Sequence, residues 1–180
     1  MTQNIYLISE NTLKKRSLIS DPTLSVYVKP AVECAQKIGL RGIIGDCLLD
    51  KFKMLVYTKD EQSGEILINL PEYIHYKDLL QNQITDYLCY ATMSEIVIPA
   101  RDKFRNAGIV NGIDNNYQQP GFDEITYVKR YFDDKAQYFG TILREYIVKH
   151  INFFPEYNAC DECGDKNGKL EDTYHCGIVL

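Results

Sequence analysis

One segment constrains the fold of this 180-residue chain more than any other, because it predicts a single uninterrupted helix over residues 122–152. Its apolar residues recur every three or four positions, the spacing of one face of an α-helix. The stripe consists of Ile125, Val128, Phe132, Ala136, Phe139, Leu143 and Ile147, together with His150. At 1.5 Å per residue such a helix is roughly 45 Å long, whereas a compact chain of this size has a radius of gyration of about 16 Å. We therefore expect this helix to protrude from its own domain or to lie against a partner.

Three further segments repeat the same apolar rhythm. They cover residues 21–38, 43–57 and 71–98. Four long amphipathic helices predict a mainly all-α fold class, a helical bundle in which each helix buries one face.

Prolines and glycines predict where these helices begin and end. Pro22 and Pro71 suit the first turn of a helix. Gly39 is a natural stop for the first helix, and Pro99 for the third. Pro30 lies inside the first pattern and predicts either a kink or a later helix start.

The segments between the helices predict little regular structure. Four apolar residues within 65–70 are compatible with a short strand, or with a short β-hairpin near 58–70. The polar stretch 104–121 is long for a connection inside a small domain and is typical of a functional or disordered loop. We expect a helical domain over residues 1–157 and an extended, irregular C-terminal tail over 158–180.

The composition is that of a soluble globular protein, with 45% hydrophobic and 25% charged residues. The formal net charge of −5 is opposite in sign to that of a protein that coats nucleic acid. No stretch approaches the ~18 consecutive apolar residues of a membrane span, and the first residues lack the features of a secretory signal. We therefore expect a protein of a cytosol-like compartment, without membrane association and with mostly reduced cysteines.

The sharpest local motif is Cys160-x-x-Cys163, which is followed by His175 and Cys176. Two thiolates at the first spacing can both bind one tetrahedral Zn²⁺. The second pair departs from the usual spacing, because two adjacent residues do not readily point at the same ion. Two interpretations remain: a small tail that is held together by zinc, and a tail in which the thiols are close together by chance. A redox Cys-x-x-Cys pair is disfavoured, because the surrounding sequence lacks the βαβ pattern of thioredoxin-like proteins. We assign no metal ligands and no cofactor.

No other set of residues predicts an active site. His75 and His150 lie on separate predicted helices, and no serine lies in a nucleophile-elbow motif. The glycine-rich segment 39–45 follows no strand, so it is better explained as a joint between helices than as a phosphate loop. The basic cluster 14–16 is either solvated surface or a thin nucleic-acid contact. We therefore predict that the protein is not an enzyme.

Tyrosine is unusually frequent, with 14 residues against no tryptophan. Several tyrosines flank the apolar stripes of the last two helices. They are Tyr87, Tyr90, Tyr127, Tyr131, Tyr138 and Tyr146. Tyrosine is common at the edge of a core and on intersubunit surfaces, so the pattern leaves both interpretations open.

The order and spacing of several short motifs resemble the head–tail connector proteins of tailed bacteriophages, most closely those of crAss-like phages. The similarity spans about residues 6–158 and leaves the C-terminal cysteines without a counterpart. The motifs that carry it are Leu7-Ile8-Ser9-Glu10-Asn11-Thr12-Leu13-Lys14, Pro30-Ala31-Val32, Ile44-Gly45-Asp46-Cys47-Leu48, Leu70-Pro71-Glu72-Tyr73, Asn106-Ala107-Gly108-Ile109-Val110 and Phe154-Pro155-Glu156-Tyr157-Asn158.

The resemblance implies a structural virion protein, one subunit of a homo-oligomeric ring, commonly twelvefold, beneath the portal protein. Such a ring extends the channel through which genomic DNA passes without sequence-specific binding, and it docks the tail or further ring proteins. It also implies assembly in the host cytoplasm, a final location at the head–tail junction of the virion, and no catalytic residue. The alternative, which follows from the cysteine motif, is a zinc-binding adaptor or regulatory module.

Overall fold

The computed structural model describes residues 5–16, 25–61, 63–110 and 122–159, and this part of the chain is mostly helical. Its α-helices are α1 (Glu10–Arg16), α2 (Ser25–Cys34), α3 (Arg41–Tyr57), α4 (Ile74–Leu79), α5 (Thr85–Val110), α6 (Phe122–Lys149) and α7 (Glu156–Ala159). Two π-helical segments, Ala35–Leu40 and Leu80–Ile84, join α2 to α3 and α4 to α5. The all-α fold class is confirmed. None of the described helices combines the length and the apolar character needed to cross a bilayer.

The joint between the first two predicted helices lies within the glycine-rich segment 39–45, as expected, but Gly39 does not end a helix. It lies inside the first π-helical segment, which continues directly into α3. The conformational break is at Gly45, with φ 77° and ψ 169°. A residue with a Cβ rarely adopts this conformation. The predicted position of the joint is therefore correct, but the helical conformation is interrupted at Gly45 and not at Gly39.

The expectation that Pro99 ends the third helix is wrong, because α5 runs through it to Val110. A proline inside a helix removes one backbone hydrogen bond and costs about 3 kcal/mol. The residues at 100–103 are mostly strong helix formers, which favour continuation. Residues 104–110 of the predicted polar loop are consequently helical, while 111–121 lie outside the described residues. Pro30 does not mark a later helix start, because α2 begins before it at Ser25 and continues through it to Cys34.

The short strand expected over 65–70 does not form. Lys59 and Ile66 make one isolated antiparallel bridge, and Leu67–Asn69 form a 3₁₀ turn instead. Of the four apolar residues in this stretch, only Ile68 is buried. The stretch therefore lacks the alternating apolar face that a half-buried strand presents.

The helix predicted over 122–152 is confirmed as α6, which is followed by a 3₁₀ turn at Ile151–Phe153. It makes the most extensive helix–helix contact of the described chain, with α5. Gly140, Leu143 and Ile147 are buried, whereas no side chain between 125 and 139 is. The C-terminal half of α6 thus belongs to the core, and its N-terminal half is only partly covered.

Tyr87 of α5 occupies a crossing of three helical segments. It is 6% exposed, and it lies between Gly39 of the first π-helical segment and Gly140 of α6. A Cβ at Gly39 would clash with the Tyr87 hydroxyl oxygen. A Cβ at Gly140 would lie 3.0 Å from Ile43 Cδ1 and 3.4 Å from Tyr87 Cε2. Both glycines therefore permit close packing around one buried ring.

We expect Gly39→Ala to destabilise the protein by about 1–3 kcal/mol, the usual effect of forcing extra atoms into a packed core. The melting temperature, followed by circular dichroism, is expected to fall by several degrees. Gly42→Ala is the matched control, because no atom lies within 4 Å of the position that its Cβ would take. Alanine's higher helix propensity is expected to leave the melting temperature of this control unchanged or raised. Equal losses in both variants would contradict the packing role of Gly39.

Candidate functional site

A polar cluster between α5 and α6 is the arrangement that most resembles a chemical site. Ser94 is 3% exposed, and its hydroxyl hydrogen-bonds with Asp133 Oδ1. Lys129 Nζ donates to Ser94 Oγ at 3.2 Å and to Asp133 Oδ2 at 2.7 Å. Tyr87 precedes Ser94 along α5, whereas their respective partners, Gly140 and Asp133, occur in the reverse order along α6. The two helices therefore run antiparallel.

Serine beside lysine is a known nucleophile–base pair, but the local geometry assigns these residues another role. The lysine is engaged by a carboxylate, and the serine hydroxyl is directed to that same carboxylate rather than to a substrate. A hydroxyl that is almost fully buried also offers little access to a reacting group. The cluster is best described as a hydrogen-bonded joint that fixes the position of α6 on α5. Lys129 and Asp133 have the i, i+4 spacing of a helical ion pair, which is visible in the sequence, whereas nothing in the sequence pointed to Ser94.

Glu95 lies beside this joint. Burial raises the pKa of its carboxyl above the usual 4.5, while a hydrogen bond with the Cys34 thiol and the nearby Lys129 ammonium oppose that shift. The neighbouring Asp133 carboxylate adds to the increase in pKa. Glu95 is therefore a half-buried carboxyl whose ionised form is disfavoured by the folded protein.

The basic cluster 14–16 is largely engaged by acidic residues of the chain itself. Lys14 pairs with Glu10 at 2.7 Å, and Arg16 pairs with Asp86 at the start of α5. The Arg16–Asp86 pair joins α1 to α5, and both pairs reduce the positive charge available to a phosphate. Of the two interpretations of the cluster, the geometry favours solvated surface over a nucleic-acid contact.

The two histidines that the sequence left without a role both contact aromatic rings. His75 stacks on Phe153 with ring centroids 3.7 Å apart, and His150 lies 4.5 Å from the ring of Tyr146. Both side chains therefore contribute packing at the end of α6.

Two open hollows flank the N-terminal segment. One, of about 300 Å³, is lined by residues that include Tyr6 and Val32. The other, of about 410 Å³, is lined by residues that include Arg16 and Thr85. The residues of the Ser94 cluster line neither hollow.

The tyrosines divide into a packed group and an exposed group. Tyr87 is buried and Tyr90 is half-buried, with its ring stacked on Phe139 at 5.0 Å. In contrast, the exposed fractions of Tyr127, Tyr131 and Tyr138 are 75%, 48% and 60%.

Steps of four and seven residues place the three exposed rings within about 40° of one another around the helix axis. We call the surface formed by Tyr127, Tyr131 and Tyr138 the aromatic face of α6. It lies roughly opposite Leu143 and Ile147, which α6 buries in the core.

The cysteines differ in their chemical state. Neither Cys34 nor Cys89 is part of a disulfide, and burial raises the pKa of the Cys89 thiol to about 11, which keeps it protonated. Cys47, in contrast, is disulfide-bonded. The expectation of mostly reduced thiols therefore does not extend to Cys47.

The predicted zinc motif lies outside the described residues, because Cys160, Cys163, His175 and Cys176 all follow Ala159. Within the described ranges, no group of three or more His, Cys, Asp or Glu side chains is arranged to hold a metal ion. Asn158 and Ala159, the first residues of the expected extended tail, belong to α7.

The raised pKa of the half-buried Glu95 carboxyl predicts a pH-dependent effect of Glu95→Gln on stability. Because the folded-state pKa is raised, ionisation costs stability: the cost is absent below the unfolded-state pKa and complete above the folded-state pKa. We expect the variant to gain melting temperature relative to the wild type at pH 8 and to lose that advantage at pH 4. Thermal unfolding at both pH values measures this, and a difference between the two proteins that stays constant with pH would contradict it.

Comparison with known proteins gives one match. The model of DUF6712, described as a family of unknown function, matches residues 40–167, which include α3 to α7 and the Ser94 cluster. Neither the curated proteins nor the solved structures yield a significant match. Since the matched region covers well over half of the chain, this protein belongs to the DUF6712 family.

Proposed function

We propose that this protein is a structural virion component, a head–tail connector subunit that forms a ring beneath a portal protein. In this role the ring extends the DNA channel and docks a tail component or a further ring, at the head–tail junction of the particle. The motif order described above supports the proposal, and the aromatic face of α6 is the structural observation that carries it.

The aromatic face has the properties of a surface that is buried on assembly. Tyr127, Tyr131 and Tyr138 expose large rings on a helix that already buries its opposite side in the subunit core. Exposed tyrosines at helical spacing offer apolar area together with a hydroxyl that hydrogen-bonds across an interface. The N-terminal half of α6, which carries Tyr127 and Tyr131, contains no fully buried side chain in its described part. We propose that a neighbouring subunit covers this half.

A closed ring requires two different faces on each subunit, because its interfaces are heterologous. In the proposed ring, each helical bundle applies its aromatic face to a different surface of the next copy. The acidic balance of the chain, with a formal net charge of −5, suits a channel that lets DNA pass, because it supplies few cations to bind phosphates.

Electron microscopy tests the proposal directly. We expect the purified protein to form rings when it is mixed with the portal protein encoded in the same genome, and to be a monomer or weak oligomer without it. A tight dimer that is indifferent to portal would contradict the proposal.

The aromatic face makes a separate, residue-level prediction. We expect Tyr138→Ala to weaken ring formation by ~30-fold, corresponding to the ~2 kcal/mol lost when an interface hot spot is truncated. The stability of the subunit is expected to change by no more than ~0.5 kcal/mol, as for most surface substitutions. Sedimentation velocity with portal measures the first effect, and thermal unfolding measures the second.

Tyr57→Ala is the matched control, because Tyr57 is 59% exposed against 60% for Tyr138 but lies at the end of α3. We expect this control to assemble normally. Equal loss of assembly in both variants would show that the aromatic face is not the specific contact.

A further inference from the structure

The N-terminal segment 5–16 contacts both π-helical segments, one near each of its ends. Near its start, the Leu7 N–H donates to Gln36 Oε1 at 3.0 Å, and Gln36 Nε2 donates to the Ile5 carbonyl at 2.8 Å. Gln36 belongs to the first π-helical segment and is 3% exposed. One buried side-chain amide thus pairs with both a donor and an acceptor of the N-terminal backbone. We call residues 5–16 the N-terminal strap.

At the other end of the strap, Arg16 contacts the second π-helical segment. Arg16 Nη2 donates to the Gln81 carbonyl at 3.2 Å, and Arg16 Nη1 pairs with Asp86 just beyond that segment. The preceding carbonyl, that of Leu80, accepts from both the N–H and the hydroxyl of Thr85. Two consecutive backbone carbonyls of this segment therefore accept hydrogen bonds from side chains, and one of these side chains belongs to the strap.

Between its two ends, the strap is anchored in the core but lies on the outside of the described fold. Its buried side chains are Leu7, Ile8 and Leu13, and its exposed ones include Asn11 and Lys15. Strap residues also line both of the open hollows described above. The strap is therefore attached by its inner side and bordered by open space.

The two π-helical segments are the places where the helical rods of this fold are best able to bend. A π-helical turn interrupts the regular hydrogen-bond ladder, and bends in helices occur preferentially at such turns. The first segment joins α2 to α3, and the second joins α4 to α5. Because the strap contacts both segments, it links two joints that are far apart in the sequence.

We propose that the N-terminal strap is a conformational lock on these two joints. When the strap is docked, the Gln36 amide and the Arg16 guanidinium hold both joints in the observed geometry. When either end of the strap lifts, the strap loosens as a unit and the joint at its opposite end opens more often. Opening of the joints frees the angle between α2 and α3 and that between α4 and α5. This inference concerns the subunit alone and does not depend on the proposed function.

Amide hydrogen exchange of the full-length protein, followed by NMR, tests this coupling. Each joint contains a backbone N–H that reports on its opening. The Arg41 N–H donates to the Gln36 carbonyl at the first joint, and the Thr85 N–H donates to the Leu80 carbonyl at the second. Exchange of each amide requires its hydrogen bond to open locally.

Two variants release the strap from opposite ends. Gln36→Leu removes the amide that holds the start of the strap, and we expect it to speed exchange of the distant Thr85 amide. Arg16→Ala releases the other end, and we expect it to speed exchange of the Arg41 amide. Each increase is expected to be on the order of tenfold, the effect of losing about one hydrogen bond. Arg16 is 41% exposed, so its variant is expected to fold even if the Gln36 variant does not.

Lys37→Ala is the matched control, because Lys37 follows Gln36 in the first π-helical segment but pairs with Glu33 of α2. We expect Thr85 to exchange at the wild-type rate in this variant. An effect on Thr85 as large as that of Gln36→Leu would overturn the proposal, because the coupling would then not pass through the strap.

The amide of Ile147, a buried residue of α6, distinguishes release of the strap from a general loss of stability. We expect its exchange rate to stay unchanged in both strap variants. Equal acceleration at Ile147 and at the opposite joint would overturn the proposal, as would unchanged exchange at the opposite joint in the folded variants.

Discussion

The packing of Tyr87 between Gly39 and Gly140 sets the distance at which three helical segments cross. Because neither glycine carries a Cβ, the first π-helical segment and α6 both approach α5 closely. That approach brings the C-terminal half of α6 into the core beside α5, to which α6 runs antiparallel. It also brings Ser94, two turns farther along α5, within reach of Lys129 and Asp133. The aromatic face of α6 is then the side of the helix that these contacts leave uncovered.

Helical periodicity predicted which parts of the chain form helices better than it predicted where they end. The pattern over 122–152 identified α6 almost completely, because a long amphipathic stripe is hardly compatible with another structure. The ends expected at Gly39 and Pro99 were wrong for different physical reasons. Gly39 is needed because a Cβ at this position would clash with Tyr87. A helix-end rule based on the sequence does not distinguish such a glycine from one that is needed for its positive φ. Pro99 lies in a long helical stretch whose following residues favour continuation of the helix.

The candidate sites show a similar division. The tyrosine pattern on the last helix was visible in the sequence, but the exposure that separates Tyr127 and Tyr138 from Tyr87 depends on which helix lies where. The Lys129–Asp133 pair follows a local spacing rule, whereas its contact with Ser94 joins residues that are far apart in the chain. Cys47 likewise gave no local signal, because a disulfide depends on a partner that only tertiary structure brings near. Interactions between residues that are close in the sequence could therefore be predicted, whereas contacts between residues that are distant in the sequence could not.

The π-helical segments Ala35–Leu40 and Leu80–Ile84 have a consequence for the changes in length that this chain can accept. A π-helical turn behaves as an α-helix that has accommodated one additional residue. Removing one residue from such a turn would allow regular α-helical hydrogen bonding across it, but it would rotate the flanking side chains by about 100° relative to each other. For Leu80–Ile84 the buried Leu79 and Leu88 would then no longer face the same core. Single-residue deletions in this stretch would therefore preserve its helical content, but the buried faces of α4 and α5 would no longer point to the same side.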